Sequence, residues 1–182
     1  AHSNSEYIVK GEEQINRFGS GKQSQQITIR EKSEKNRGIK QFINVNFINE
    51  EHKFSIMLKG TGQKVYIQIG ELNFVIKSRK KWFEFKKNIK FNDLKTKKTL
   101  SITINSDEIF IANCSLMPKN TIFGFRKDVT KLIQEWLPSY IRWPGGNYLS
   151  GYNWINGIGD KNYRLPFYDF AWYTWENNDV GT

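Results

Sequence analysis

IRWPGGNYLSGYNWINGIG, running from Ile141 to Gly159, is the stretch on which the reading of the fold turns. Pro144 has no amide hydrogen to give a strand ladder, and Gly145 and Gly146 open dihedrals closed to other residues. A strand entering this stretch must therefore turn sharply. Just upstream, Tyr140-Ile141-Arg142-Trp143 reads as a short apolar strand, and residues 123–136 read as an amphipathic helix. Val129, Leu132, Ile133 and Trp136 recur at i, i+3, i+4 and i+7, giving one apolar stripe. Asn120-Thr121 offers an N-terminal cap, Asp128 suits the first turn, and Pro138 stops the helix. Helix, strand and glycine turn make an αβ unit that ends at the strand's C-terminal edge. In α/β barrels and open sheets that edge is where ligands sit.

Downstream the chain is rich in aromatic side chains and ends in DFAWYTWENNDVGT. Of the 27 aromatic residues, 15 fall after Met117, and five of the six tryptophans are among them. One helix and one strand close no core. Tyr148, Tyr152, Trp154, Trp172 and Trp175 are therefore expected to be covered by the rest of the chain, a second copy or a missing portion of a larger domain.

The composition also changes at Pro118. The 182 residues carry a formal net charge of +10. Up to Met117 there are 21 Lys and Arg against 12 Asp and Glu; beyond it there are 7 against 6. This places a boundary between segments 1–117 and 118–182. A single cysteine, Cys114, excludes an intramolecular disulfide and reads as a small buried hydrophobe. No apolar run is long enough to cross a membrane. The chain starts at Ala1 without methionine, which fits a processed leader or a trimmed end and favours a secreted over a cytoplasmic location.

Segment 22–117 alternates in short apolar runs: Ile27 and Ile29, 39–48, 54–58, 65–69, 82–85, 100–104 and 109–116. Val65, Ile67 and Ile69 stand at period two, as do Leu100, Ile102 and Ile104. Turn signals at Lys59-Gly60-Thr61-Gly62, Gly70 and Ser106-Asp107 separate them. Seven or eight strands so spaced predict an antiparallel, jelly-roll-like β-sandwich. The fold class expected is thus mainly β: a sandwich followed by a partial α/β segment.

The lysine clusters at 77–81, 86–90 and 95–98 have two readings. They suit a phosphate backbone or another acidic polymer, or a solvated face on which lysine guards strand edges. The scarcity of arginine forks argues against nucleic acid as partner. Sandwich domains also carry sugar sites, which need an aromatic platform. Period two puts Phe83 and Phe85 on one face and Trp82 on the other, so Trp82 is the candidate carbohydrate platform.

Other chemistry is thin. His2 and His52 are the only histidines, so no zinc ligand set and no Cys-His pair is expected, and no cofactor. The Gly145-Gly146 pair lacks the lysine and hydroxyl of a phosphate loop.

IRWPGGNYLSGYNWINGIGDKNYR, with CSLMP before it and DFAWYTWENNDVGT after it, resembles the α-L-arabinofuranosidases of glycoside hydrolase family 51 from about Cys114 to Thr182. The sandwich ending in IANCSLMP resembles the carbohydrate-binding-like domain that precedes the barrel in some members. The resemblance implies the start of a (β/α)8 barrel and a retaining mechanism with two glutamates about 5 Å apart. It puts those glutamates on later strands, so this chain supplies neither; Glu135 and Glu176 match neither role. It also implies substrate-binding roles for Arg142 at the strand end, Asn147 toward sugar hydroxyls and Trp172 as a pocket wall. Tyr163-Arg164-Leu165-Pro166 departs from the family's adjacent Arg-Pro pair by one residue.

Three readings of function follow. The chain is a fragment or truncated member of this family, bearing sugar contacts for an arabinose-containing glycan and inactive alone. The alternative is a non-catalytic glycan- or protein-binding module; a basic nucleic-acid-binding module ranks third.

Overall fold

A computed structural model describes residues 6–11, 23–29, 36–142, 145–159, 164, 167–170 and 173–176. Nine strands come first: β1 (Glu6–Gly11), β2 (Gln23–Ile29), β3 (Arg37–Asn44), β4 (His52–Gly60), β5 (Lys64–Ile69), β6 (Leu72–Lys77), β7 (Phe83–Ile89), β8 (Lys97–Ile104) and β9 (Asp107–Pro118). They form a five-stranded sheet, ordered β1-β2-β9-β4-β7, and a four-stranded sheet, ordered β3-β8-β5-β6. Every pairing is antiparallel. The protein is mainly β, with antiparallel sheets in a sandwich-like arrangement, as the alternation predicts.

Alternation decides which side chains meet. Ile27, Ile109, Ile111, Phe54, Ile56 and Leu58 from the five-stranded sheet face Val65, Ile67, Ile69, Ile102 and Ile104 from the other, forming one core. Each fully buried side chain of this kind is worth about 1.5–3 kcal/mol. Phe83 and Phe85 pack against this core from β7. Strand β6 was not among the predicted runs. Leu72, Phe74 and Ile76 alternate inward there, and Gly70 at φ +60 opens the two-residue hairpin turn that joins it to β5.

A bulge interrupts β9 opposite β4. Ser55 pairs with Ser115 and Met57 with Ala112, so Asn113 and Cys114 oppose Ile56 alone, with Asn113 at φ +45. The bulge corrects the expectation of a buried Cys114. The side chain lines a cleft between the two sheets and is left exposed there. Apolar neighbours still desolvate its thiolate and push the thiol up to about 11, which keeps it protonated at neutral pH.

The segment after Pro118 departs further from expectation. Thr121–Ile122 (β10) and Phe125–Arg126 (β11) form a small hairpin, with Phe123 and Gly124 both at positive φ in its turn. Asn120-Thr121 is thus no helix cap, and the helix α1 (Lys127–Trp136) begins four residues later than predicted. Arg126 is its N-cap residue without a side-chain cap bond, and its guanidinium bonds Asp128 in the first turn (Nε to Oδ1, 3.1 Å). Leu137 in the left-handed region ends the helix just before Pro138.

Residues 140–142 are in no strand, against the strand expected over 140–143; Trp143 and Pro144 lie outside the described residues. A lone strand leaves its amides and carbonyls unpaired, and the sandwich sheets give 140–142 no partner. The remaining elements are 3-10 turns at Gly146–Ser150 and Trp154–Gly157, and a hairpin of β12 (Phe167–Asp169) with β13 (Thr174–Glu176).

Candidate functional site

The turn that follows the Gly145-Gly146 pair builds a groove. Gly146 at φ +66 starts the 3-10 turn carrying Asn147, Tyr148 and Ser150, and this turn faces the β12 hairpin. Together they line a groove of about 380 Å³, with Asn147, Tyr148, Ser150 and Gly151 on one wall and Phe167, Tyr168, Asp169 and Phe170 on the other. The floor is aromatic. Tyr148 and Tyr152 lie 5.0 Å apart between ring centroids, and both meet Phe167 edge to face, at 4.8 and 5.5 Å. Tyr168 and Phe170 form a second edge-to-face pair at 5.1 Å. Such pairs add about 0.5–1.5 kcal/mol each beyond simple burial.

Two charged residues of this part of the chain are buried. Arg164 is almost covered, and its guanidinium donates from Nε and Nη2 to the Gly159 carbonyl at 3.1 and 2.7 Å. It fastens the glycine-rich loop. Asp169 is also buried and is the carboxylate that lines the groove. An exposed amide (Asn147), an exposed ring (Phe170) and hydroxyl-bearing side chains around an apolar floor suit a polyhydroxylated ligand with one apolar face.

The four residues singled out from sequence fare differently. Asn147 lines the groove. Arg142 is exposed in the irregular segment 140–142 and does not line it. Trp172 lies outside the described residues. Trp82 is half-buried just ahead of β7, away from both the groove and the intersheet cleft described next. The sequence reading missed Phe167, Tyr168 and Phe170. Only their place opposite Asn147 marks them, since the run 167–175 has no clean period.

A larger cleft of about 600 Å³ opens between the sheets along β3 and β9. Core side chains such as Ile39, Ile43, Leu100 and Leu116 line it beside the polar residues Gln25, Lys40, Gln41 and Asn44, so it is a part-polar seam of the sandwich. Among the described residues no cluster of three or more His, Cys, Asp or Glu could hold a metal ion. No described helix is long and apolar enough to cross a membrane.

No family model matches the chain. Curated relatives match over part of it. The chain is 56% identical over 59 residues to an intracellular exo-α-(1→5)-L-arabinofuranosidase of Bacillus subtilis and 51% identical over 59 residues to that of Halalkalibacterium halodurans. It is 47% identical over 58 residues to an exo-α-(1→6)-L-arabinofuranosidase of Bifidobacterium longum. Each match covers 32% of this chain, but only 12%, 12% and 11% of the respective relative. Among solved structures, a CBM4 structure overlaps 65% of the chain at TM-score 0.49 and 13% identity, covering 81% of that structure. The CBM22-1 xylan-binding domain of a Paenibacillus barcinonensis protein overlaps 66% at TM-score 0.48 and 13% identity, covering 85% of that domain. Overlaps of this quality assign no ligand. Over about a third of its length, the chain is kin to arabinofuranosidase sequences.

Proposed function

We propose that residues 118–182 are the opening portion of an α-L-arabinofuranosidase catalytic domain, carried behind a glycan-binding β-sandwich formed by residues 1–117. The observation that carries this reading is the identity of about half the residues to curated exo-arabinofuranosidases over 59 positions. The groove beside Asn147 has the chemistry that a sugar site needs.

In this reading the Asn147 amide offers a donor and an acceptor to adjacent hydroxyls of an arabinofuranosyl ring. The aromatic floor covers the ring's apolar face; the family resemblance assigns Trp172 the role of a pocket wall and Arg142 that of orienting carboxylates contributed by later strands of the barrel. A retaining glycosidase needs two carboxyl groups about 5 Å apart. Among the described residues that line the groove, Asp169 is the carboxylate. Glu135 stands on the exposed helix surface, 3.6 Å from Lys131 in an i, i+4 pair. That arrangement supports a chain that binds sugar without hydrolysing it until the rest of the barrel is present. It also supports the second reading, a non-catalytic glycan-binding module.

The test is titration of the chain with linear arabino-oligosaccharides, followed residue by residue by NMR. The expected result is perturbation of Asn147, Tyr148 and Phe167, lost in Asn147→Ala. Perturbation confined to the sandwich, or none at millimolar sugar, overturns the groove assignment.

A further inference from the structure

The outward face of the four-stranded sheet has a pattern that the groove does not explain. Register brings Lys40, Ser101, Gln68 and Asn73 into one row across β3, β8, β5 and β6. With strands about 4.8 Å apart, the row is about 14 Å long. On one side of it stands Phe42, 64% exposed; on the other stand Tyr66 and the exposed Val75. The two amides are held in place by the hairpin turn, Gln68 donating to the Gly70 carbonyl at 3.2 Å and Asn73 to the Glu71 carbonyl at 3.3 Å. Each keeps its carbonyl oxygen and a second hydrogen for a ligand.

The charge on this face has one sign. Lys40 and Lys97 flank the Phe42 ring, with Nζ 5.6 and 5.2 Å from its centroid. Lys64 and Lys77 sit opposite each other at the far end of the β5–β6 pair. The outward positions of the four strands include no Asp or Glu. Protection of strand edges explains lysine on β3 and β6, the edge strands. It does not explain Lys97 on β8 or Lys64 on β5, which are inner strands. Among the described residues none of the four lysines has a carboxylate partner.

The geometry points to a binding site for an anionic polysaccharide, a chain of uronic acid residues, laid across this sheet face. The apolar ring faces of such a chain stack on Phe42 and Tyr66, its hydroxyls meet the Ser101–Gln68–Asn73 row, and its carboxylates meet the four lysines. A nucleic acid fits less well. The face has no arginine for phosphate forks, and its two rings lie on opposite sides of a polar row instead of forming one stacking track. The proposal stands on the sandwich alone and survives if the Asn147 groove fails.

The experiment is affinity electrophoresis of the whole chain in gels containing polygalacturonate, with neutral arabinan and galactan gels beside it. Polygalacturonate is expected to retard the chain where the neutral gels do not, with affinity falling about tenfold or more over a fourfold rise in salt. Lys64→Gln with Lys97→Gln should weaken binding at least tenfold, and Phe42→Ala should weaken it at unchanged charge. Lys53→Gln with Lys131→Gln removes the same charge elsewhere and should leave binding unchanged. Melting curves on each variant separate lost binding from lost fold. Equal retardation by neutral polymers, equal loss in the Lys53/Lys131 control, no retardation at all, or full displacement by single-stranded DNA at equal charge concentration overturns the assignment.

Discussion

The Lys98 ammonium, its side chain only 2% exposed, lies 3.2 Å from Oε2 of Glu71 across the turn that joins β5 to β6. Lys98 points inward from β8, where its neighbours Leu100 and Ile102 are core, and it is satisfied by three oxygens. Besides Glu71 it meets the Asp93 carbonyl at 2.7 Å and the Asp93 carboxylate at 3.3 Å, and it stands 5.0 Å from the centroid of Phe91. Partial burial raises the Glu71 carboxyl. The backbone amides of Glu71, Asp93 and Asn92 and the Lys98 ammonium outweigh that effect and bring it down to about 2. Asp93 is lowered too, first by the Lys95 amide and then, against some desolvation, by Lys98.

A depressed carboxyl contributes stability above its unfolded value, about 4.3 for glutamate, and loses it as pH falls through the folded value. The sandwich should therefore lose stability between about pH 4.5 and pH 2, and Glu71→Gln should flatten that part of the profile. At neutral pH the substitution should cost about 2 kcal/mol, between an exposed pair and the breaking of a buried one, because Glu71 is partly solvated. Thermal melts from pH 7 to pH 2 on both proteins check this. Parallel curves would show Glu71 to be energetically idle.

Gln63 is the second buried polar anchor. Its side-chain oxygen accepts from the Thr61 amide at 2.9 Å and the Ser78 hydroxyl at 2.7 Å, while its Nε2 donates to the Glu108 carbonyl. The Ser78 hydroxyl in turn accepts from the Gly62 amide at 3.0 Å. This knot ties the β4–β5 turn to the segment leaving β6 and to β9. Gln63→Ala strands several buried partners, each costing about 1–3 kcal/mol when unpaired. A loss of about 3 kcal/mol is expected in urea unfolding, against less than half that for Gln68→Ala on the surface.

Gly38 is the position on β3 where a side chain is least tolerable. A Cβ there would run into the Ile102 carbonyl and approach Thr103 Cα at 2.8 Å, both backbone. Gly38→Ala should thus detach part of β3 from β8, an edge pairing, and leave the inner strands intact. Hydrogen exchange should quicken for residues 38–44 while β5 amides stay protected. Uniform acceleration over both sheets would contradict this.

The sandwich was legible because its signal is local. Period two in 65–69 and 100–104 needs only burial on one face, and the observed faces follow it residue by residue. The bulge at Asn113 was not legible, since only the partner strand shows that two residues oppose one. From sequence Lys98 is one lysine of a cluster that suits an acidic polymer or a solvated face, because its partners, Glu71 and Asp93, come from other turns. After Pro118 the apolar spacing of α1 was correct, yet its start was not, because Phe123-Gly124 forms a hairpin turn that propensity alone reads as helix. In the groove only Asn147 could be named in advance. Phe167 and Phe170 acquire meaning from the fold of the β12 hairpin.

For chemistry, the chain alone should leave an aryl α-L-arabinofuranoside unhydrolysed at every pH from 4 to 8. Asp169 is the groove's carboxylate, and a second within reach is needed for acid and nucleophile. Turnover by pure protein that disappears on Asp169→Asn, or on substitution of any one glutamate, would defeat both this expectation and the view that the remaining carboxylates come from elsewhere.

The helix α1 gives the last prediction. It is amphipathic in sequence, yet none of its residues is buried: Leu132 is 64% exposed, Trp136 80%, and Val129 and Ile133 about 40%. Leu137, Tyr140 and Ile141 extend the uncovered apolar surface past its end. A stripe of this size exceeds what scattered surface hydrophobes require. In the chain by itself the stripe contributes nothing to the fold, so Leu132→Lys should leave the melting temperature unchanged while lowering binding of an apolar dye and self-association at high concentration. Ile67→Ala in the core should cost about 2–5 kcal/mol in the same assay. Were the stripe packed against the sandwich in solution, Leu132→Lys would destabilise the chain by an amount comparable to the core substitution. Were it the contact of a specific dimer, the melting temperature of the unsubstituted chain would rise with concentration, and that of the variant would not. A flat concentration dependence with strong dye binding that Leu132→Lys abolishes is the outcome expected of an uncovered face.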